Sequence, residues 1–472
     1  MCEDFLTKQS LEVISDNNDK YPWCAHGPTL LFRITKNGCI KEYFACSAFR
    51  SRKGCNFYLE KQEYDNNHNK IDIKLESIDL EAIKLLRDNI FKFKPDELNY
   101  CHQCNVIFHV HINSKSHQNH ESIRIASDLW KTPTKFLRPF SDDKAQAQYF
   151  FKDNTLNFLG LMLKKLHISK VVCIGAPRLH EYLKQKYDIF KIESILLDLD
   201  HRFFYFNSDS EFFYYNMFNN HFFEGQEKKN MFKKFLKIDG NETISVITDP
   251  PFGCRTEPLV NVLRDIASDF REVNNFFRVL PTIWIFPYYM EHYIKKEMPE
   301  MEMLDYKINY SNHEAYSDGI NSRKYGSPVR LFTNIPLHLI ELPATEGYKM
   351  CNICQKWTAV ENIHCKICNK CPSKNGETYR HCNLCSLCVK PNYVHCVNCR
   401  RCTQKQNHNC TVFQKNTHCW ICDEFGHLEV NCNKGNVSSI RKFLRNKEKK
   451  CRFCLICCKN GHNERKCKLK FK

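Results

Sequence analysis

Three observations predict an α/β core with a mostly parallel sheet, flanked by several small metal-stapled modules. Between residues 140 and 345, short apolar runs alternate with helical spacing, the pattern of strands that cross over through helices. That stretch holds only two of the 29 cysteines. The remaining cysteines recur largely as Cys-x2-Cys with histidines nearby, and the polar first twenty residues lack the regions of an export signal. The pattern therefore reads as zinc ligands rather than disulfides.

The core elements follow in order. Val171–Ile174 is an apolar strand, with Cys173 facing the core. Gly175-Ala176-Pro177-Arg178 is a turn, and Leu179–Leu183 opens a helix. Ser194–Leu197 is a second strand, ending in Asp198, and Ile244–Thr248 a later one, ending at Asp249. Val260–Phe277 has helical spacing, and Thr282–Phe286 is another strand. Val329–Thr333 and His338–Leu342 are expected to close the sheet as an antiparallel pair. Such sheets bind ligands beyond their carboxyl edge. Asp198 falls 23 residues after Gly175, where an acidic side chain can hold ribose hydroxyls. The single glycine of the turn argues against a pyrophosphate cradle but suits S-adenosylmethionine, which has no phosphate. Arg178 can clamp the carboxylate of that cofactor. A helix-capping Asp198 and a surface Arg178 are the competing readings.

No apolar run approaches the ~18 residues of a membrane span, and the chain reads as intracellular and soluble. Its formal charge is +17. Ligating thiols are deprotonated, so 23 thiolates on about eight zinc ions reduce this to about +10. The excess is concentrated at the end. Residues 433–472 hold 14 Lys and Arg against two Glu, the footprint of a tail that binds a polyanion.

Most cysteines fall into ligand sets. Cys24, His26, Cys46 and Cys55 make the first, among short strand-like runs, and resemble a GRF-type finger with Arg50, Arg52 and Lys53 placed for phosphates. Cys101 and Cys104 with His117 and His120 make a C2H2-like set, for which His109 and His111 compete. Residues 351–410 supply Cys351, Cys354, His364, Cys365, Cys368, Cys371, His381, Cys382, Cys385, Cys388, His395, Cys396, Cys399, Cys402, His408 and Cys410. These sixteen ligands suffice for about four tetrahedral sites, with the pairing left open. A segment so poor in aliphatics cannot build a core, so metal must fold it. Its His-Cys-x2-Cys-x2-Cys repeat resembles the cysteine-rich domain of DHHC palmitoyltransferases, but no Asp-His-His-Cys is present. Cys419, Cys422, His427 and Cys432 form a CCHC knuckle with Trp420 and Phe425 available to stack an unpaired base. Cys454, Cys457, His462 and Cys467 repeat it with Leu455 and Asn460 in those places. Ser438–Lys450, between the knuckles, looks like a short amphipathic helix.

Asp249-Pro250-Pro251-Phe252 stands at the end of a predicted strand. The two prolines stiffen the loop before a substrate arrives. Asp249 and the Pro250 carbonyl can each accept an N–H of an exocyclic amine, while Phe252 stacks on the ring. The tetrapeptide resembles the Asp/Asn-Pro-Pro-aromatic motif of amino-methyltransferases, although a Pro-Pro turn can also simply end a strand.

The order of finger, C2H2-like site, methyltransferase core, cysteine-rich domain and knuckle resembles the CCHC-zinc-finger ribosomal RNA N6-adenosine methyltransferase family. Distinctive stretches are Val172–Glu181, Tyr215–Asn219 and Thr248–Gly253. The resemblance implies a Rossmann-like methyltransferase core flanked by zinc-binding modules, and methyl transfer from S-adenosylmethionine to adenosine N6 in large-subunit rRNA. It implies that Gln148, Tyr149, Phe150, Phe151, Arg178, Asp198 and Asn216 line the cofactor beside Gly175, with Asn216 at either the adenine edge or the amino-acid end. Expected boundaries are a tail at 1–20, the GRF-type finger at 21–65, a linker with the C2H2-like site at 66–139 and the methyltransferase at 140–345. The cysteine-rich domain follows at 346–412, the knuckle at 416–435, the basic linker helix at 436–450, and the second knuckle and tail at 451–472. The expected partners are single-stranded or loop rRNA and ribosome-assembly or translation proteins, with no membrane. The expected location is nucleus and nucleolus, with some cytoplasm. Asn312–Ser327 is read as a mobile loop at the substrate mouth. A non-catalytic RNA-binding factor, and a methyltransferase acting on DNA or protein glutamine, are the alternatives.

Overall fold

The structure is a computed structural model describing residues 9–14, 21–24, 26–36, 39–47, 55–66, 80–112, 114–139, 148–313, 326–399, 401–404 and 408–410. It also gives the backbone of 418–419, 424–425, 453–454 and 459–460. Expectations for Arg50, Arg52, Lys53, residues 314–325, the linker at Ser438–Lys450, the basic tail and the knuckle ligands lie outside the described residues. The backbone pairs that are described form the same short hairpin in each knuckle, at His418–Cys419 with Glu424–Phe425 and at Phe453–Cys454 with Lys459–Asn460.

The chain divides into two compact units. The first comprises Met1–Pro287 with Lys307–Ile335, and the second Tyr288–Tyr306 with Pro336–Lys472.

In the first unit the central sheet contains β1 (Lys170–Ile174), β2 (Glu193–Asp198), β3 (Phe212–Asn216), β4 (His221–Phe222), β5 (Ile244–Thr248), β6 (Thr282–Pro287) and β7 (Val329–Thr333). Their order is β4-β3-β2-β1-β5-β6-β7. β1, β2, β3, β5 and β6 run parallel, while β4 and β7 are antiparallel additions. Every residue of β3, β5 and β6 is buried, as expected of strands covered on both faces, which explains their unbroken apolar character. The principal helices beside the sheet are α1 (Asp153–Lys165), which precedes β1, and α2 (Pro177–Gln185), α3 (Gly225–Leu236) and α4 (Thr256–Asn274), which lie between strands. α2 begins two residues before the expected Leu179 because Pro177, with φ already fixed and no N–H to lose, fits the first helical turn. The expected strand at His338–Leu342 is not formed. Pro336 leads instead into a 3-10 turn at Leu337–Leu339, and Pro343 follows.

Two zinc-type modules pack within the same unit. Gln9–Ile14, Leu30–Lys36, Cys39–Ala45 and Tyr58–Glu60 make a four-stranded antiparallel sheet. Leu98–Cys101, Val106–His109 and Ser122–Arg124 make a three-stranded one.

The second unit carries three hairpins with a common plan: Tyr348–Cys351 with Lys356–Ala359, Arg380–Cys382 with Leu387–Val389, and Tyr393–Cys396 with Arg401–Gln404. After the second cysteine of four Cys-x2-Cys turns, Asn105, Gln355, Asn369 and Ser386 adopt left-handed φ between 48° and 56°. That costs a non-glycine residue energy. Within two of these turns Cys104 N and Cys368 N donate to Cys101 Sγ and Cys365 Sγ at 3.4 Å.

Candidate active site

The order of β2, β1 and β5 sets the site. β1 pairs with β2 on one side and β5 on the other, which opens a crevice at their carboxyl ends. Gly175 leaves β1 with φ +64°, its N–H donating to Leu197 O at 2.9 Å. Asp249 leaves β5 with its N–H donating to Ile174 O at 3.1 Å. The two turns run side by side. A Cβ on Gly175 would lie 2.7 Å from Met217 Cε, a side-chain tip that can shift, and 3.1 Å from the backbone carbonyl oxygen of Asp249, so the close turn and the left-handed φ together favour glycine.

Asp249 is half-buried, and Pro250 behind it is buried. The Tyr310 hydroxyl donates to Asp249 Oδ1 at 3.0 Å. Burial pushes the Asp249 carboxyl well above the usual carboxylate range, and the Tyr310 bond opposes that push. Phe252 stacks with Tyr149 at 5.6 Å and 25°, and meets Tyr310 edge-on at 5.9 Å. Tyr149 also lies 4.3 Å from the His313 ring. Tyr310 was missed by sequence reasoning: it follows the acid by 61 residues, in a segment without strand or helix periodicity, whereas His313 falls in the stretch expected at the substrate mouth. The backbone nevertheless fixes them. Lys152 N donates to Asn309 O, Ser311 N to Phe150 O, and Asn312 bonds both Phe150 N and Gln148 O at 2.8 Å.

The other expected cofactor residues are placed as follows. Asp198 ends β2 and is buried, and its Oδ1 accepts from Asp200 N at 2.9 Å. Burial, reinforced by the Asp200 charge, pushes it up to about 7. Gln148 Nε2 donates to Asp200 Oδ2 at 3.0 Å, while Gln148 Oε1 is buried with no hydrogen-bond partner. Such an orphaned acceptor fits a nucleoside that brings its own donors. Phe150 and Phe151 are buried beside Arg178 on the wall of a cleft of about 990 Å³. Arg178 itself contacts Thr134 Oγ1, Glu181 Oε2 and Asp153 Oδ1 at 3.3–3.4 Å. Asn216 is engaged elsewhere. Its Nδ2 donates to His26 O and Ser47 Oγ at 2.8 Å, and its Oδ1 accepts from Phe218 N. Asn219 does the same with Pro28 O at 2.7 Å, so two asparagines fasten the first zinc module to the edge of the sheet.

Cys24, His26, Cys46 and Cys55 lie with all four ligand atoms within 4.8 Å of one another, as do Cys101, Cys104, His117 and His120. His109 and His111 are not in the second cluster. His109 Nδ1 instead accepts from His111 N. In the second unit the clusters are Cys351, Cys354, His364 and Cys371; Cys365, Cys368, His381 and Cys388; and Cys382, Cys385, His395 and Cys402. Cys396, Cys399, His408 and Cys410 meet in the same way, with His408 using Nε2. A tetrahedral zinc ion with ordinary Zn–S and Zn–N bonds separates its ligands by about 3.5–3.8 Å. The sulfur–nitrogen separations here are 3.1–3.9 Å, so these clusters are able to hold zinc.

The family model described as a probable N6-adenine methyltransferase matches residues 142–335. The human rRNA N(6)-adenosine-methyltransferase ZCCHC4 is 35% identical over 375 residues, covering 75% of this chain and 72% of the human protein. The Xenopus laevis relative of the same name is 36% identical over 378 residues, covering 75% of this chain and 74% of its own. The mouse relative is 35% identical over 368 residues, covering 73% and 70%. The chain belongs to the ZCCHC4 family of rRNA N6-adenosine methyltransferases. As a member it is a methyltransferase, which makes S-adenosylmethionine its methyl donor, and its zinc-type clusters accord with the family's zinc-finger character.

Proposed function

We propose that this protein methylates N6 of an unpaired adenosine in large-subunit ribosomal RNA. The observation that carries the reading is the junction of Asp249-Pro250-Pro251-Phe252 with Gly175 at the carboxyl ends of β5 and β1, inside a chain related to rRNA-modifying enzymes. Adenine N6 is a poor nucleophile because its lone pair is delocalised into the ring. S-adenosylmethionine, when bound, supplies a methyl group on a positively charged sulfur. The chain's residues supply position. Asp249 and the Pro250 carbonyl accept the two N6 hydrogens, favour a pyramidal nitrogen and hold it in line for transfer. Phe252 offers the base a face, and Tyr149 extends the aromatic surface. The target base must leave any stack to reach this crevice. Gln148, Asp198 and Arg178 are the side chains that we assign to the cofactor, and the basic tail to the RNA backbone.

Six clusters among the described residues and two further knuckle spacings support a zinc complement of about six to eight ions. An rRNA substrate is the support for our proposal of a nucleolar and nuclear location, with a cytoplasmic fraction, in the company of ribosome-assembly proteins. The test is to incubate purified protein with methyl-labelled cofactor and total RNA. Labelled N6-methyladenosine is expected in the largest rRNA with the wild type and none with Asp249→Ala. Equal labelling by both proteins would remove the motif from the chemistry.

A further inference from the structure

The chemistry proposed for Asp249 assigns no role to Tyr310. This residue is fully buried, and its hydroxyl reaches the acceptor carboxylate of the motif at 3.0 Å. The ring is held from several sides. It packs against Phe151 at 5.3 Å, and meets Tyr149 and Phe252 edge-on at 5.8 and 5.9 Å. Its backbone bridges to Phe151, and the neighbours Asn309, Ser311 and Asn312 all bond the Gln148–Lys152 segment. The hydroxyl is thus delivered to Asp249 by the same backbone tie that positions the segment expected to line the cofactor.

We propose that Tyr310 is a positioning residue for methyl transfer, fixing Asp249 through Oδ1 so that Oδ2 faces the N6 amine as an ionised acceptor. The inference rests on the reading of Asp249 as the substrate acceptor. A hydrogen bond restricts rotation of the carboxyl group about its Cβ–Cγ bond. It also favours the charged form, opposing the upward push of burial on this carboxyl. A protonated carboxyl presents a donor where the substrate amine also presents one, so the neutral form accepts poorly. The acid limb of the rate profile therefore belongs to Asp249, and Tyr310 holds it at lower pH. Loss of the hydroxyl moves that limb upward, since the folded enzyme then binds the proton more tightly.

The test compares wild type, Tyr310→Phe, Asp249→Asn and Asp249→Ala, with methyl transfer to RNA measured from pH 6 to 9.5 and cofactor affinity measured by titration calorimetry. A hydrogen bond to a charged group corresponds to about one to two pH units. Tyr310→Phe is expected to shift the acid limb upward by that amount. Its kcat near neutral pH should fall about 10- to 100-fold and recover in alkali, with the cofactor dissociation constant within about twofold of wild type. Asp249→Asn, which has no proton to lose, should show no such limb. An equal loss at every pH in Tyr310→Phe would mark a merely structural role and overturn the proposal, as would an acid limb surviving in Asp249→Asn. Should Asp249→Ala keep full activity, the underlying reading of the motif fails instead.

Discussion

His381 and Cys382 are adjacent in the chain and belong to different metal clusters. His364 and Cys365 divide in the same way, and His395 and Cys396 repeat it. The third cysteine of each His-Cys-x2-Cys-x2-Cys repeat folds back to the preceding cluster: Cys371 joins Cys351 and Cys354, and Cys388 joins Cys365 and Cys368. The clusters are therefore linked in series by peptide bonds between ligands of successive sites.

The pairing predicts zinc stoichiometry in double variants. Cys351→Ser with Cys371→Ser should lose one ion, because both thiols serve one cluster. Cys365→Ser with Cys371→Ser should lose two, although both cysteines sit in one sequence repeat. Elemental analysis of purified protein reads the count. The reverse result would mean that each repeat closes on its own ion.

Gly175 gives a second prediction. An alanine there meets the Asp249 carbonyl and must also hold φ near +64°, a region that costs an L residue about 1–2 kcal/mol. Gly240 is the control, because its φ is +57° and nothing lies within 4 Å of the added carbon. Both alanine variants should lower the melting temperature. Only Gly175→Ala should also cut kcat, by about 100-fold, because it displaces the acceptor loop. A comparable kcat in both variants would show that the close approach of the two turns is irrelevant to the chemistry.

Much of the core was legible in the sequence. β1, β2, β5 and β6 are short apolar runs punctuated by Gly175, Asp198 and Asp249, and buried parallel strands leave that signature. Local chemistry also gave the cysteines and histidines that the structure gathers into clusters among the described residues. Non-local geometry was not legible. Nothing local distinguishes a histidine that binds the same ion as the preceding cysteines from one that binds the next. His338–Leu342 is a short apolar-rich run that reads as a strand, but the flanking prolines decide its form. Asn216 sits in a stretch that resembles the family, yet the structure engages both ends of its amide within the protein, far along the chain at His26 and Ser47 and locally at Phe218. Tyr310 lacked any signal, because its importance lies in contact with a residue 61 positions away.

A buried ion pair within the core reaches the second zinc module through the Arg202 guanidinium. Arg202 and Asp200 side chains are 1% and 2% exposed, with a two-pronged contact at 2.7–2.9 Å, and Arg202 Nη1 continues to Asn105 Oδ1 and Arg138 O. Removing one partner of such a pair leaves an uncompensated buried charge and typically costs about 3–5 kcal/mol. Arg202→Met is expected to destabilise the first unit by that amount in urea titrations and to speed proteolysis near Cys101–His120. Adding Asp200→Leu should restore most of the stability, since no stranded carboxylate then remains. A single variant as stable as wild type would show that the buried pair contributes nothing to this part of the fold.

Glu181 supplies a pH dependence with a definite sign. It is buried on α2, where Thr134 N and Oγ1 both donate to its carboxyl and Arg178 lies beside it. Burial dominates these contacts and pushes the group up to about 7, against an ordinary value of 4.5. Between those limits the folded protein keeps a proton that the unfolded chain has released. Stability must therefore fall as pH rises through the window, and stay level above it. At about 1.4 kcal/mol per pH unit across that window, the group accounts for roughly 3 kcal/mol. Glu181→Gln cannot ionise and removes this slope. The difference in unfolding free energy between wild type and Glu181→Gln should thus move steadily against wild type from pH 5 to pH 7. Taking the difference cancels the acid sensitivity of the zinc thiolates, which both proteins share. A difference independent of pH would mean that Glu181 folds already ionised, held so by Thr134 and Arg178 despite its burial.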